Sequence, residues 1–439
     1  MDTIFDSTEF KAYAPQWHAR QRELARRKGY YDGSVYRRSR DTYSELGILT
    51  PRLYKGIKSL YLHLFRAVDV DAGLIPGKWA WMEDAPEQWD VARKQLFKWS
   101  SWSKSGVLYV HYGAQFGLSG IKVADVRDRN QVQLVPCSPE YFMLVETGSY
   151  DPTPSLAFWL EHRQVDGQVV EYAEIVTPDA IRTFLDGKPA DIEGRPAEYP
   201  NELGFVPYVE VKHKETGDPL GECTYQMAIP LLDEVNELAS YLADIIKKHA
   251  EPQWAISGAE ASEMVKSGDN IWFLPPGATA APLVAGVDIG GVGEFIDRID
   301  VNVKSSLPEL AFDELKAKAQ IATATLEIQL MELTIKIRRC RPNYDQGLID
   351  ALRMAGRAAA TMGLGEIALL DDDELALNDE RPVLPVSRLD EIAIEQAELG
   401  LEASKTLASG DGMTQMQNGG MDEPGAGRRP GAGAVERTE

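Results

Sequence analysis

The sequence predicts an α+β chain, on three observations. Apolar residues recur at helical spacing on both sides of a central stretch, about 128–212, where the period falls to two. Within that stretch Asp166-Gly167 and Asp186-Gly187 each lie between alternating apolar runs, and such pairs suit type I′ hairpin turns, which need positive φ at both positions. The chain has 439 residues, 44% of them apolar, enough for roughly two to four structural units with cores of their own.

Residues 11–40 carry nine Lys/Arg (Lys11, Arg20, Arg22, Arg26, Arg27, Lys28, Arg37, Arg38 and Arg40) against Glu23 and Asp32. They read as a helix to about Lys28, ended by Gly29. Their charge is either a solvated helix face or a docking surface for an acidic neighbour, another copy of the chain included. Residues 50–125 look mainly helical, with Tyr54, Ile57, Leu60, Tyr61 and Leu64 at i, i+3, i+4 spacing. Five tryptophans (Trp79, Trp81, Trp89, Trp99 and Trp102) crowd together; stacking on carbohydrate or bases is one use, core packing or subunit contact the commoner one. Strands are expected at 131–135, 140–146, 156–163, 168–176, 180–185 and 205–212, forming an antiparallel sheet built on consecutive hairpins.

Helical spacing then returns. Leu231, Val235, Leu238, Leu242 and Ile245 form a heptad seam, closed by Lys247, Lys248 and His249, where positive charge suits a helix C-terminus. A short mixed segment follows, with strand-like Gln253–Ile256 and Ile271–Leu274 and the turn Pro275-Pro276-Gly277. Gly290-Gly291 precede a second helix with the packing stripe Val292, Ile296, Ile299, Val303; Glu294, Asp297 and Asp300 are expected on its opposite side. Ser305-Ser306-Leu307-Pro308 ends it. After a loop, a long helix runs from about 318 to Cys340, Pro342 interrupts it, and Leu348, Leu352, Ala355, Ala359 and Met362 continue helically to Gly363. Past the acid run 371–374 a last amphipathic helix is expected at 388–407, and from Ser409 a Gly-rich disordered tail.

Charge and motifs narrow the function. Against 68 Asp/Glu the chain has 46 Lys/Arg, a net −22, which argues against an open basic surface for gripping nucleic acid but not against DNA that passes without sticking. Cys137, Cys223 and Cys340 lie far apart, so neither a disulfide framework nor a thiolate metal cluster is expected. The first residues are acidic with no apolar h-region, and no run of 18 apolar residues occurs, so no signal peptide or membrane span is expected. There is no G-x-x-x-x-G-K-[ST] loop, H-E-x-x-H or paired C-x-x-C. Gly290-Gly291-Val292-Gly293 fails the dinucleotide fingerprint, and Gly117-Leu118-Ser119-Gly120 is one residue short of a nucleophile elbow. The six histidines select no Ser–His–Asp set, and Asp371/Asp373 read as a solvated acidic turn rather than a cation site. Catalytic residues, cofactor and metal are therefore all expected to be none.

Several segments, in their order and spacing, carry a resemblance. They are the N-terminal helix followed by Tyr30-Tyr31-Asp32-Gly33; Asn201-Glu202-Leu203-Gly204-Phe205-Val206-Pro207-Tyr208, followed by Gly221-Glu222 and the helix from Ile229; Leu307-Pro308-Glu309-Leu310-Ala311-Phe312-Asp313 ahead of the long helix; and Arg381-Pro382-Val383-Leu384-Pro385 before a helix ending near Ser409-Gly410. Across about residues 20–410 this resembles the portal proteins of tailed double-stranded DNA bacteriophages, the head–tail connector ring at one capsid vertex. Where that family usually has Ser-Gly-hydrophobic-Ala, this chain has Ala322-Thr323-Ala324-Thr325.

The resemblance implies a homo-dodecamer around a channel for double-stranded DNA, with no chemistry of its own. By that likeness residues 1–49 are a basic helical segment and 50–225 a wing of helices and antiparallel sheet. Residues 226–250 and 288–305 are the two stem helices around a small α/β clip, 251–287. A tunnel loop at 306–317 precedes a long wing-crossing helix, 318–342, helical crown segments, 343–408, and the tail, 409–439. The resemblance places Glu294, Asp297, Asp300, Lys304, Ser305, Ser306, Glu309 and Asp313 on the channel, and Arg26, Arg27, Lys28, Arg37 and Arg38 against the next subunit or the capsid shell. It implies the terminase large subunit, head-completion and adaptor proteins, and major capsid and scaffold proteins as partners, with no membrane. The location it implies is the virion portal vertex, assembled in host cytoplasm. Composition suits the role: twelve copies at −22 carry −264 formal charges, and an acidic lumen repels phosphate. The alternatives are another phage structural protein without a DNA channel, such as a capsid or baseplate component, and a hydrolase or nuclease with a dispersed site.

Overall fold

The computed structural model describes residues 4 to 383 apart from 6, 9, 37–60, 62, 78, 80, 83–84, 149–150, 166, 193, 251–252, 258–264, 267–271, 274–276, 278, 284–288, 311–327, 329 and 379–380. Helix α1 (Ala14–Tyr31) is followed by α2 (Leu64–Leu74), α3 (Glu87–Trp99) and α4 (Trp102–Phe116). The α+β reading holds, and the strands between residues 118 and 212 divide into two sheets rather than one. Strands β1 (Leu118–Val126), β2 (Gln131–Cys137) and β9 (Tyr208–Lys212) form a three-stranded sheet in the order β2-β1-β9. Strands β3 (Phe142–Gly148), β4 (Asp151–Val165), β5 (Gln168–Val176), β6 (Ala180–Leu185) and β7 (Lys188–Pro189) form an antiparallel meander, with β8 (Glu198–Pro200) against β6.

The meander is built as its turn residues dictate. Asp186 and Gly187 both have positive φ, 47° and 74°, between the paired residues Leu185 and Lys188. Gly167 likewise has φ 80°, between the paired Val165 and Gln168. One face of this sheet is covered by the N-terminal residues, where Phe5, Phe10 and Trp17 pack on Phe158, Ile175 and Phe184. Between the two sheets Phe142, Ala157, Val176 and Tyr208 form a second core. Across it Lys122 of β1 donates to Glu174 of β5 at 2.9 Å, with its Nζ over the Trp159 and Tyr208 rings. Both side chains are half-buried, and each favours the charged form of the other.

Strand β1 corrects the expectation that residues up to 125 are mainly helical. Helix α4 stops at Gly117, whose φ of 82° closes the helix through its N–H to Gly113 O at 2.7 Å. A Cβ there would lie 2.2 Å from the Arg27 guanidinium and 2.8 Å from Leu220 O, so only glycine fits. Ser119, in the segment that falls short of a nucleophile elbow, is fully buried on β1.

Helix α5 (Ile229–Ala250) packs on α6 (Ile289–Ser305), with β10 (Gln253–Ser257), β11 (Val265–Lys266), β12 (Trp272–Phe273) and β13 (Thr279–Leu283) between them in the chain. The strand-like pieces of this segment are thus present, as the two antiparallel pairs β10–β13 and β11–β12. On α6 the stripe Val292, Ile296, Ile299, Val303 faces the core as expected. On α5 the buried stripe is Ile229, Leu232, Val235, Asn236 and Ala239, rotated from the expected seam, which keeps Leu231, Leu238 and Leu242 only half-buried. The Asn236 side chain is what allows the rotation: it donates to Leu232 O and accepts from the Tyr61 N–H, so a polar group can sit in the core stripe.

Helix α7 (Met331–Thr361) is continuous through Pro342, which corrects the expected interruption there. Pro342 lies on the exposed side of the helix, so the Arg338 carbonyl it leaves without a donor faces water. One residue earlier, the buried Arg341 guanidinium fixes the helix to Ile75 O, Leu74 O and Arg381 O at 2.7–3.1 Å. The expected division at 342/343 therefore falls inside one helix. The helix end near Gly363 (φ 73°) holds, followed by α8 (Gly365–Ala368). Helix α1 also runs past Gly29 to Tyr31. The expected helix at 388–407, the tail after 409 and the residues Tyr54, Ile57 and Leu60 lie outside the described residues.

Candidate functional site

Glu294 and Asp297 of α6 are exposed, with Val301 between them on the same flank. At about 100° per residue Asp300 turns back toward the packing stripe, and it is 9% exposed. Its carboxylate accepts from His63 Nε2 at 2.9 Å and from Lys304 Nζ at 2.6 Å. Burial pushes the Asp300 carboxyl up, and the Lys304 and His63 hydrogen bonds outweigh it and hold it below the usual carboxylate range. Asp300 is thus removed from the acidic stripe, and Lys304, though exposed, spends its charge on it. Ser305 is exposed at the helix end and donates to Asn302 O, while Ser306 donates to Val303 O.

Glu309 is a second correction. It lies on a 3-10 turn, Pro308–Leu310, and is 1% exposed, paired with Lys336 of α7. The expected loop residue therefore points into the protein. Around it is a buried cluster drawn from four parts of the chain. Lys336 Nζ donates to Thr224 O at 3.2 Å and lies 3.6 Å from Asp71 Oδ2. Asp71, wholly buried on α2, accepts from Thr224 Oγ1 at 2.5 Å and lies 3.5 Å from His213 Nε2. His213 Nδ1 meets Tyr344 Oη at 2.9 Å.

Burial pushes the Asp71 carboxyl up, but Lys336, His213 and Thr224 outweigh it and bring it down to about 2. Burial alone would depress His213; Cys340 and Asp71 outweigh it and raise the imidazole to about 9. Burial and the Asp71 charge push Glu309 up to about 7 against the pull of Lys336. The cluster contains a hydroxyl, an imidazole and a carboxylate in hydrogen-bond range, yet all three are buried in the core. What this arrangement does is tie α2, the turn after α6, the connection from β9 to α5, and α7 to one another.

None of these cluster residues except Glu309 was singled out in the sequence. One signal was present: Asp71 continues the apolar stripe Leu64, Ala67, Val68, Asp71, Ala72 of α2, and a carboxylate on such a face requires a partner.

The basic N-terminal residues divide. Arg26 is exposed, bonded to Glu23, with its guanidinium over the Tyr30 ring. Lys28 is exposed and pairs with Glu140 at 2.8 Å. Arg27 is a correction: it is buried, donating to Glu23, to Phe116 O at 2.5 Å and weakly to Leu220 O. It closes the end of α4 within its own chain. Arg37, Arg38 and Asp313 lie outside the described residues.

Of the five tryptophans, Trp81, Trp89 and Trp102 are buried, as core packing requires. Trp79 and Trp102, with Phe97 and Arg93, line an open cleft of about 480 Å³. Arg93 there is committed to Asp90 and to Trp79 O. Burial pushes the Cys137 and Cys223 thiols up to about 12 and about 11, so neither is a ready nucleophile. No helix among the described residues is long and apolar enough to cross a membrane, and no group of three metal-ligating side chains occurs among them.

No family model matches the chain, and no curated protein matches it. Solved structures do. The chain is similar to a chain in the virion of the native gene transfer agent particle, at 12% identity and TM-score 0.38, over 81% of this chain and 86% of that one. It is also similar to chains in the neck of the empty particle computed with C6 symmetry (13%, TM-score 0.35, 81% and 87%) and of the native particle computed with C12 symmetry (14%, TM-score 0.40, 77% and 84%).

Proposed function

We propose that this chain is the subunit of a portal ring, the conduit for double-stranded DNA at one vertex of a phage-like capsid. The observation that carries the reading is the pair α5–α6. Two long helices share one apolar core, a small β segment lies between them in the chain, and α6 leaves Glu294 and Asp297 exposed along one flank. In a ring of such pairs that flank faces the lumen, and its like charge keeps phosphate from adhering. The chain's net −22 supports the same role. Asp300, through His63, and Glu309, through Lys336, serve instead to tie the C-terminal end of α6 to the body. Arg26 and Lys28 remain on the outer surface as contacts to the next subunit or the shell, and the packaging terminase, adaptor, scaffold and capsid proteins are the partners this role requires.

The test is the mass and symmetry of the purified protein, by light scattering and electron-microscopic class averages. A ring near 583 kDa (12 × 48.6 kDa) with a central hole supports the reading. A compact dimer or tetramer without a hole overturns it.

A further inference from the structure

Two partly open seams on this chain match each other in spacing. On α5, beside the buried stripe, run Leu238, Leu242 and Ile245, half-buried, with exposed Glu234 one turn earlier. These four fall within an arc of about 80° at 100° per residue. On α7, Met331 and Ile335 are 50% and 60% exposed, and Ile328, just ahead of the helix, is 71% exposed. Arg338 and Arg339 follow one turn on and are exposed as well.

From Met331 the α7 seam advances by four and four residues through Ile335 to Arg339. From Leu242 the α5 seam steps back by four and four through Leu238 to Glu234. Laid antiparallel, the two therefore bring Met331 to Leu242, Ile335 to Leu238, and Arg339 to Glu234. Two apolar pairs and one charge pair are satisfied in a single register. Within one chain these helices have other neighbours, α5 lying on α6, and α7 on β1, β2 and β9.

We propose that the partner of each seam is a second copy of this chain, α5 of one subunit docking antiparallel on α7 of the next. Apolar surface meeting apolar surface and the acidic end meeting the basic end name the occupant. The two faces differ, so the contact is heterologous, and a heterologous contact repeats until it closes a ring or grows a filament. The proposal deepens the portal reading and rests on it.

The test mixes two full-length samples, one carrying Leu238→Cys and one carrying Ile335→Cys, under mild oxidation; Cys137, Cys223 and Cys340 are buried. A disulfide-linked dimer in the mixture, absent from either sample alone, is the expected result, since bridging requires Cα atoms within about 7 Å. In parallel, Arg339→Glu weakens subunit association about tenfold and Glu234→Arg in the same chain restores it. Wild-type rings with no cross-link and no charge rescue would overturn the seam and leave the ring reading standing. A compact wild-type oligomer without a hole, again with no cross-link, would overturn both. In a third sample carrying Leu238→Cys and Ile335→Cys in the same chain, a cross-link confined within single chains would show the seam closed within one subunit and also overturn it.

Discussion

Removing Lys336 tests whether the buried cluster holds the end of α6 to α7. In Lys336→Met, Glu309 loses its ion pair and Asp71 loses a cation 3.6 Å away, while both carboxyls stay in the core. Loss of one partner from a buried pair costs about 3–5 kcal/mol. Coulomb attraction at 3.6 Å with an effective dielectric near 20 gives about 5 kcal/mol, the same size. Spread over a cooperative unit of about 380 residues, at about 2.1 cal/mol/K per residue, 4 kcal/mol lowers Tm by about 5 °C. The pH dependence follows from the direction of the shift. The Glu309 carboxyl sits above its usual value, at about 7, so the stability it contributes is full below about 4.5 and is lost as pH rises through about 7. Without Lys336 that carboxyl rises further. The deficit of the variant against wild type should therefore be smaller at pH 5 than at pH 8, and Glu309→Gln in the same chain should recover part of it. Thermal unfolding followed by near-ultraviolet circular dichroism at the two pH values reads both effects. A Tm loss below about 1 °C, or a deficit equal at pH 5 and 8, would refute the assignment of Lys336 as the cation of this cluster.

Other outcomes follow from single contacts. Glu294→Lys with Asp297→Lys should leave the fold intact and its stability within about 1 kcal/mol of wild type, as exposed sites do, and should reduce genome filling in a packaging assay; normal filling would remove this flank from the lumen. Asp300→Lys should behave differently and lower Tm, because it sets a buried ammonium against His63 and Lys304. Gly113→Ala places a Cβ 1.8 Å from Tyr344 Oη, so α4 and α7 must separate; a loss of about 1–3 kcal/mol is expected in a denaturant titration. Arg27→Met should destabilise by about 1–3 kcal/mol by leaving Phe116 O and Leu220 O without their donor, whereas Arg26→Met should change Tm little.

Features set by neighbouring residues were legible before any tertiary contact was known. The strand period and the Asp-Gly pairs located the meander, because turn geometry depends on the φ values of two adjacent residues. The Val292–Val303 stripe located the packed face of α6, because helical periodicity repeats within one turn of the chain. Asp300 and Glu309 were legible only as acidic residues near a helix end; their partners His63 and Lys336 arrive from elsewhere in the chain, and those contacts turned both side chains inward. Pro342 read as a break from its missing N–H, and the fold kept the helix because that position faces water while Arg341 beside it is anchored from three carbonyls. Tertiary structure likewise divided the strands into two sheets, since β1 pairs with β9 across some ninety residues of chain, a distance that period and turn chemistry do not span.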